Sequence, residues 1–512
     1  MNNLPEKKIA ALLLGFAYLA LTANTALAQI KNFNKNGGQI TRFSTVGNAV
    51  DAHDGEIGYF DGTYYLYGTS YDCGFQWGNK GAPFCGFKVY SSKHMNNWTD
   101  RGYLFDATTT VWQTRCDGKT YGCFRPHVIY NQKTKLYVLW INVYDNRVGY
   151  RVFTSKTPVG PFNEVAEPHL AVNTDMPVAG LNNGDHDTFI DDDGTAYLAF
   201  TDWRTKGTIV IEKLSADYLT GTGEFVKGIT EGETEAPGLF KRKGIYYVVY
   251  SDPNCGYCSG TGTSYRTAPS PLGPWSKATK ISDNSCGGQP SFVSTIKINS
   301  ETVYLYGSDL WNKAAKNEAL ANFYWAPLTF AADGSINALK CFEAYKMPKA
   351  GTAPLPKGLD VTSGQTDFSL KGDIKNDTAR AQSFTAKRSG KLTKLNITVF
   401  KNNYPDADLV VELYKANNLK QPVGKALSVH NISADRIGWS AKNFVVKPDL
   451  WVVKGGRYVF VLKSTSTKGC YGFAYSDFAP YLGGGASLST DGAKTFKAEP
   501  KRTLKFQTFV SN

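Results

Sequence analysis

Apolar and polar residues alternate in short bursts along most of the chain, and the three-to-four-residue spacing of a helix is nearly absent. The bursts pair into hairpins with a common second strand: Asp61-Gly-Thr-Tyr-Tyr-Leu-Tyr67, Lys133-Thr-Lys-Leu-Tyr-Val-Leu139, Asp193-Gly-Thr-Ala-Tyr-Leu-Ala199, Lys243-Gly-Ile-Tyr-Tyr-Val-Val249 and Ser300-Glu-Thr-Val-Tyr-Leu-Tyr306. Asp-Gly and Lys-Gly turns followed by alternating aromatic and β-branched residues predict antiparallel hairpins. Tyr65, Tyr137, Tyr197, Tyr247 and Tyr304 are equivalent, at spacings of 72, 60, 50 and 57 residues. That period suits one four-stranded propeller blade per repeat. Asn97-Trp98, Gly160-Pro161-Phe162 and Gly273-Pro274-Trp275 trail three of the hairpins. Two features sharing one period predict five blades.

The pattern changes near Ala350–Pro356, a Gly-, Pro- and Ala-rich linker. Evenly spaced strands follow, such as Leu395–Phe400, Leu409–Tyr414, Arg457–Leu462 and Leu504–Phe509. They predict a separate β-sandwich of jelly-roll type. The expected organisation is all-β: signal peptide 1–28, propeller 29–349, linker 350–358 and accessory sandwich 359–512, the last open to a carbohydrate-binding role through Tyr471, Tyr475 and Tyr481.

The start of the chain reads as an export signal. Lys7 and Lys8 precede an apolar run from Ile9 to Leu21, and Ala26-Leu27-Ala28 offers small residues for cleavage after Ala28. The run is short for a membrane span, and no other stretch reaches that length. A secreted or periplasmic protein is expected. The nine cysteines fit an oxidising compartment. Cys73 with Cys85, Cys116 with Cys123 and Cys255 with Cys258 are candidate local pairs, and the odd count leaves one thiol over. Cys255-Gly-Tyr-Cys258 lacks the second pair or His partners that zinc requires. From Lys357 onward Lys and Arg outnumber Asp and Glu by 24 to 12, so this segment carries +12 of the chain's +13. No recognition helix or nucleic-acid motif accompanies the charge, which reads as a solvated surface.

In a propeller the innermost strand of each blade begins beside the axis, so acidic residues at several of these starts converge over one pocket. Three blades open this way, with Asp51-Ala-His-Asp54-Gly-Glu56, Gly184-Asp185-His-Asp187 and Thr234-Glu235-Ala-Pro237. Asp54 lies eight residues before the turn glycine Gly62; Asp185 and Glu235 lie nine before Gly194 and Gly244. Cleaving a glycoside needs an acid for the leaving oxygen and a second carboxylate for water or the sugar. A third carboxylate nearby raises the acid's pKa. The Asp191-Asp192-Asp193 run reads as turn solvation. Trp77, Trp203 and Trp311, on loops of the same face, are candidate sugar-stacking walls, and the loop from Tyr71 to Gly86 would close one end of the pocket.

The hairpin repeat, the segment Asp185-His-Asp-Thr-Phe-Ile-Asp-Asp-Asp-Gly194 and Glu235-Ala-Pro237 together resemble glycoside hydrolase family 43, over roughly residues 45 to 345. The resemblance implies a five-bladed propeller hydrolysing by inversion, with Asp54 as general base, Glu235 as general acid and Asp185 tuning and orienting the acid. His53, Arg125 and His127 are then expected as orienting or sugar-binding groups. The chain departs from the family in having Asp54-Gly55 where Asp-Pro is usual, and Gln289 where a blade-five His is frequent. Gln289 resembles the exo-β-1,3-galactanase branch, in which a Gln handles the water. That branch carries a Glu before the Arg-Pro of blade two, where this chain has Phe124. The expected function is an exo-acting secreted hydrolase of plant polysaccharide side chains, β-1,3-galactan or α-L-arabinofuranosyl substituents. A β-xylosidase and a non-catalytic glycan-binding propeller are the alternatives. The expected assembly is a monomer, with a polysaccharide as substrate and no metal at the site. No cofactor is required, and the one ion left open is a structural Ca2+.

Overall fold

The computed structural model describes residues 28–75, 82–117, 122–144, 148–165, 167–171, 183–252, 260–298, 301–311, 317–347, 357–478 and 480–511. Residues 1–27 of the expected signal peptide, the linker's core, Trp77 and the Cys255–Cys258 pair lie outside them. No helix among the described residues is long and apolar enough to cross a membrane.

The protein is nearly all β, and the front portion is a five-bladed propeller. Blade one comprises Ile57–Phe60, Thr63–Thr69, Phe87–Ser92 and Thr99–Tyr103. Blade two comprises Cys123–Asn131, Leu136–Val143, Tyr150–Ser155 and Asn163–Glu164. Blade three holds Asn183–Ile190, Ala196–Asp202, Thr208–Leu214 and Gly221–Val226, and blade four Glu235–Arg242, Ile245–Ser251, Thr263–Ala268 and Thr279–Ser282. Among the described residues blade five has three strands, Gln289–Ile298, Glu301–Leu310 and Asn322–Pro327. Ala28–Lys31 pairs antiparallel with Ala344–Met347, tying the two ends of the ring together.

The hairpins form where the turn chemistry places them. Phe60 pairs with Thr63 across Asp61-Gly62, and Arg242 with Ile245 across Lys243-Gly244. Both central residues of each turn have positive φ (46° and 70°, 48° and 81°), the tight turn that matches strand twist. The aromatic faces pack between blades: Trp98, Trp325, Phe292 and Ile30 share one core, and Phe240, Tyr247, Tyr306 and Tyr324 another. Of the trailing motifs, Trp98 and Phe162 are buried.

Each inner strand from blade two to blade five opens with a register break, between Phe124 and His127, Asn183 and His186, Glu235 and Gly238, and Pro290 and Phe292. A bulge re-aims the residue it contains. Arg125 and Ala236 sit in these breaks with φ of 58° and 52°, and Asp54 has φ of 56° at the entry to blade one. Left-handed backbone at non-glycine residues costs about 1–3 kcal/mol each and clusters where function holds it.

From Leu359 onward two antiparallel sheets face each other. One contains Gly390–Asn402, Cys470–Ser476 and Phe506–Ser511; the other contains Leu409–Ala416, Arg457–Lys463 and Ala379–Thr385. Leu395, Ile397 and Val399 from the first meet Val411, Leu413 and Phe460 from the second in a shared core. Tyr471 is wholly buried in that core and Tyr475 and Tyr481 pack against it, so the three do not form the exposed sugar-binding face considered from sequence.

Disulfides join Cys73 to Cys85 and Cys116 to Cys123. A third, Cys286–Cys341, spans 55 residues and was not legible from spacing. Cys470 is free.

Candidate active site

The inner-strand starts bring Asp54, Arg125, Asp185, Glu235 and Gln289 into one connected group. Arg125 is its hub: buried, it donates from Nη2 to Asp185 Oδ2 at 2.7 Å, and its backbone N–H donates to Asp54 Oδ1 at 3.3 Å. Its Nη1 reaches the carbonyls of Pro290 and Ser291 in blade five. Glu235 Oε2 accepts from Gln289 Nε2 at 2.9 Å, and Gln289 Oε1 accepts from Trp311 Nε1 at 3.2 Å.

Asp54 is enclosed, 4% exposed. Oδ1 accepts from Thr69 Oγ1 and Oδ2 from Tyr71 O–H, both at 2.8 Å, while its own N–H donates to Asp309 Oδ2 at 3.0 Å. Burial pushes its pKa up to about 7; Arg125 opposes this, Asp309 adds to it, and the Thr69 and Tyr71 donors oppose it. Glu235 is pushed up to about 7 as well, first by burial and then by the charge of Asp185, against Arg125 and Gln289. Two carboxyls poised near neutrality, with a third ionisable carboxyl bound to an arginine between them, can exchange protons with a bound substrate.

Behind this group lies a supporting layer. His53 stands between Asp51 (3.4 Å) and Asp309 (3.7 Å) and stacks on Phe323 with ring centroids 5.0 Å apart. Burial disfavours its charge, but the two carboxylates outweigh burial and raise it to about 9. Asp51 also accepts from Ser70 O–H at 2.6 Å and from the Tyr71 N–H at 3.0 Å.

The C-terminal domain reaches this layer. Lys442 pairs with Asp72, whose Oδ1 accepts the Ser440 N–H at 2.9 Å and whose carbonyl accepts the Trp439 N–H at 3.0 Å. The Trp439 indole lies against Gly74, where any Cβ would come within 2.6 Å of it. Residues 71–75 are thus gripped beside the donor to Asp54.

Glycosyl hydrolases family 43 matches residues 46–333 by sequence profile, which spans the whole propeller repeat and more than half of the sequence. The chain belongs to that family. A β-D-galactofuranosidase of Aspergillus niger is 30% identical over 202 residues, covering 38% of this chain and 56% of the relative. The chain therefore spans only a little over half the length of that relative. An exo-β-1,3-galactanase of Clostridium thermocellum matches in structure with a TM-score of 0.52 and 23% identity, covering 67% of this chain and 73% of the other. That likeness is one of fold.

Against this family frame, the remaining candidates separate by position. Trp203 is half-buried, its indole within 2.6 Å of where a Cβ on Gly184 would stand, so it lies over the strand start that presents Asp185. Trp311 is 6% exposed and is engaged with Gln289, His53 and Tyr71 rather than open as a wall. His53 and His127 are wholly enclosed, so neither reaches a sugar in this arrangement. His127 lies deeper, two residues past Arg125, beside Glu56 and Asp187. Phe124 packs on Phe75 and fills space with no carboxyl. Thr69, Tyr71, Asp51 and Asp309 were missed as site residues. An Asp at the end of the second strand recurs as Asp202 and Asp309, each within two residues of a Trp, and that recurrence was the available signal.

Proposed function

We propose that this family 43 chain is an inverting, exo-acting glycosidase of plant-type side chains, β-1,3-linked galactan or α-L-arabinofuranosyl substituents. The observation that carries the reading is Glu235, poised near neutrality beside Asp185 and hydrogen-bonded by Gln289. In this reading Glu235 protonates the leaving glycosidic oxygen. Asp54 takes a proton from the attacking water on the opposite side. Asp185 keeps Glu235 protonated through its charge and anchors Arg125. The A. niger relative, a galactofuranosidase, supports a galactose-containing substrate. Secretion belongs to the same proposal, supported by the disulfides.

A second assignment of the water is favoured by one observation. Both Asp54 oxygens already accept hydrogen bonds, from Thr69, Tyr71 and the Arg125 N–H, whereas Gln289, engaged by Glu235 and Trp311, keeps a second amide N–H beside the acid. Gln289 would then orient the water. Asp54→Asn and Gln289→Ala separate the two: the water-handling residue is the one whose loss lowers kcat about a hundredfold or more.

The test of the whole reading is release of reducing sugar from arabinogalactan, debranched β-1,3-galactan, arabinan and xylan, comparing wild type with Glu235→Gln. Activity on galactan or arabinan, lost in the variant by about a hundredfold or more, is expected. Activity on xylan alone would make the chain a β-xylosidase. Glycan binding without cleavage in both proteins would replace the proposed chemistry with a binding propeller.

A further inference from the structure

Two residues past Asp54, Arg125 and Asp185 along the same segments stand Glu56, His127 and Asp187, all buried. One oxygen of each carboxyl is fixed by backbone. Glu56 Oε1 accepts the Val128 N–H at 2.5 Å, and Asp187 Oδ2 accepts the Leu239 N–H at 2.6 Å. The second oxygens face His127 Nδ1, at 3.7 Å for Glu56 Oε2 and 3.2 Å for Asp187 Oδ1. The His127 side chain is 0% exposed, and neither of its ring nitrogens has a hydrogen-bond partner. Each of the three residues can offer one ligand atom within 4.8 Å of the others.

We propose that Glu56, His127 and Asp187 hold one divalent transition-metal ion, Zn2+ or Mn2+, on the propeller axis beneath the carboxyls of the active site. Neighbouring ligands on an ion with bonds of about 2.0–2.2 Å stand about 3–3.5 Å apart, near the 3.2 and 3.7 Å that separate His127 Nδ1 from the two carboxylate oxygens. An imidazole with two carboxylates suits a first-row transition ion, whereas Ca2+ and Mg2+ favour oxygen alone. The backbone N–H groups on the far oxygens hold the carboxylates in the orientation a metal needs. Two carboxyls buried side by side are costly unless each is protonated or a cation lies between them. A cavity adjoins two of the three ligands, Glu56 and Asp187. Its volume is 1040 Å3, and it is lined by Glu56, Asp187, Val128 and Leu239 at its floor and by Asp61 and Gly244, from the turns that end the inner hairpins, at its rim. Asp54, Asp185 and Glu235 are not among its lining residues, so it reaches the group from the other side, and water would fill the remaining coordination positions.

The full-length protein, stripped with EDTA and dialysed, is titrated calorimetrically with Zn2+, Mn2+ and Ca2+ in turn. One equivalent of Zn2+ or Mn2+ is expected, with Ca2+ at least about tenfold weaker and a raised unfolding temperature in the metal-bound protein. Glu56→Gln and Asp187→Asn, each nearly isosteric, should each lower affinity by about tenfold or more. If either variant does not fold, pulsed EPR of Mn2+ on the wild-type protein decides the matter, since coupling to an imidazole nitrogen is expected. Absence of stoichiometric binding, binding unchanged in both variants, no nitrogen coupling, or tighter binding of Ca2+ would each overturn the assignment. None of these readouts depends on glycosidase activity.

Discussion

Tyr71→Phe removes one hydroxyl and nothing else, and its consequence can be worked out from the geometry around Asp54. The Tyr71 O–H donates to Asp54 Oδ2 at 2.8 Å and stabilises the ionised carboxylate. A hydrogen bond to a charged group is worth about 1.5–3 kcal/mol, and one pKa unit corresponds to about 1.4 kcal/mol. Losing the donor should therefore raise Asp54 from about 7 by about one unit or somewhat more. If Asp54 must be ionised and Glu235, also near 7, must be protonated, kcat/KM follows a narrow bell centred near neutrality. In the variant the optimum moves up by about half a unit and its height falls about fourfold. At pH 6 the loss is about tenfold; at pH 9, where Asp54 is ionised in both proteins, the rates nearly coincide. The assay is initial rate of sugar release between pH 5 and 9.5 on the polymer that proves to be the substrate, with unfolding temperature as control. An acidic limb that does not move, or a loss equal at every pH, refutes the role given to Asp54 and the link from Tyr71.

Asp185→Asn removes the charge that helps hold Glu235 up and leaves Arg125 to pull it down, so the alkaline limb of the same profile should shift to lower pH. An unchanged alkaline limb would detach Asp185 from the acid. Trp439→Ala deletes the indole that packs on Gly74 and should destabilise the protein by about 3–5 kcal/mol. It should also lower activity by loosening residues 71–75, read by thermal unfolding and by kcat; full activity at reduced stability would confine the C-terminal domain to a structural role. His53, raised from 6.5 to about 9, contributes stability that is fully present below pH 6.5 and is lost as pH rises through 9. Wild type should lose unfolding temperature on that alkaline side more steeply than His53→Asn, followed by circular dichroism from pH 6 to 10.

How far the site was legible follows from where each residue's signal is stored. The hairpins are local objects: Asp61-Gly62 and Lys243-Gly244 specify their own turns, and the register counted back from them carries Asp54 and Glu235 to the axis. An acidic residue in a turn and one over the axis look alike in isolation. Asp191 met the first fate, accepting from Lys241 and Tyr246 at a hairpin rim, and only recurrence across blades singled out the others. The bulges were not legible, because the left-handed positions in them are Arg125 and Ala236 and no glycine marks them. That gap explains His127. Alternation alone puts it level with Arg125, but the break between Phe124 and His127 turns Arg125 toward Asp185 and leaves His127 one layer deeper with Glu56 and Asp187. The grip of Trp439 on Gly74 joins residues far apart in the chain and has no local trace at all. Gly74 meets both demands, a φ of 85° and the close approach of Trp439, and still reads in sequence like any other loop glycine. Tyr71 is therefore informative in a way neither domain is alone: its hydroxyl serves the propeller's Asp54 while its loop is held by the C-terminal sheets, so the chemistry of one unit depends on the packing of the other.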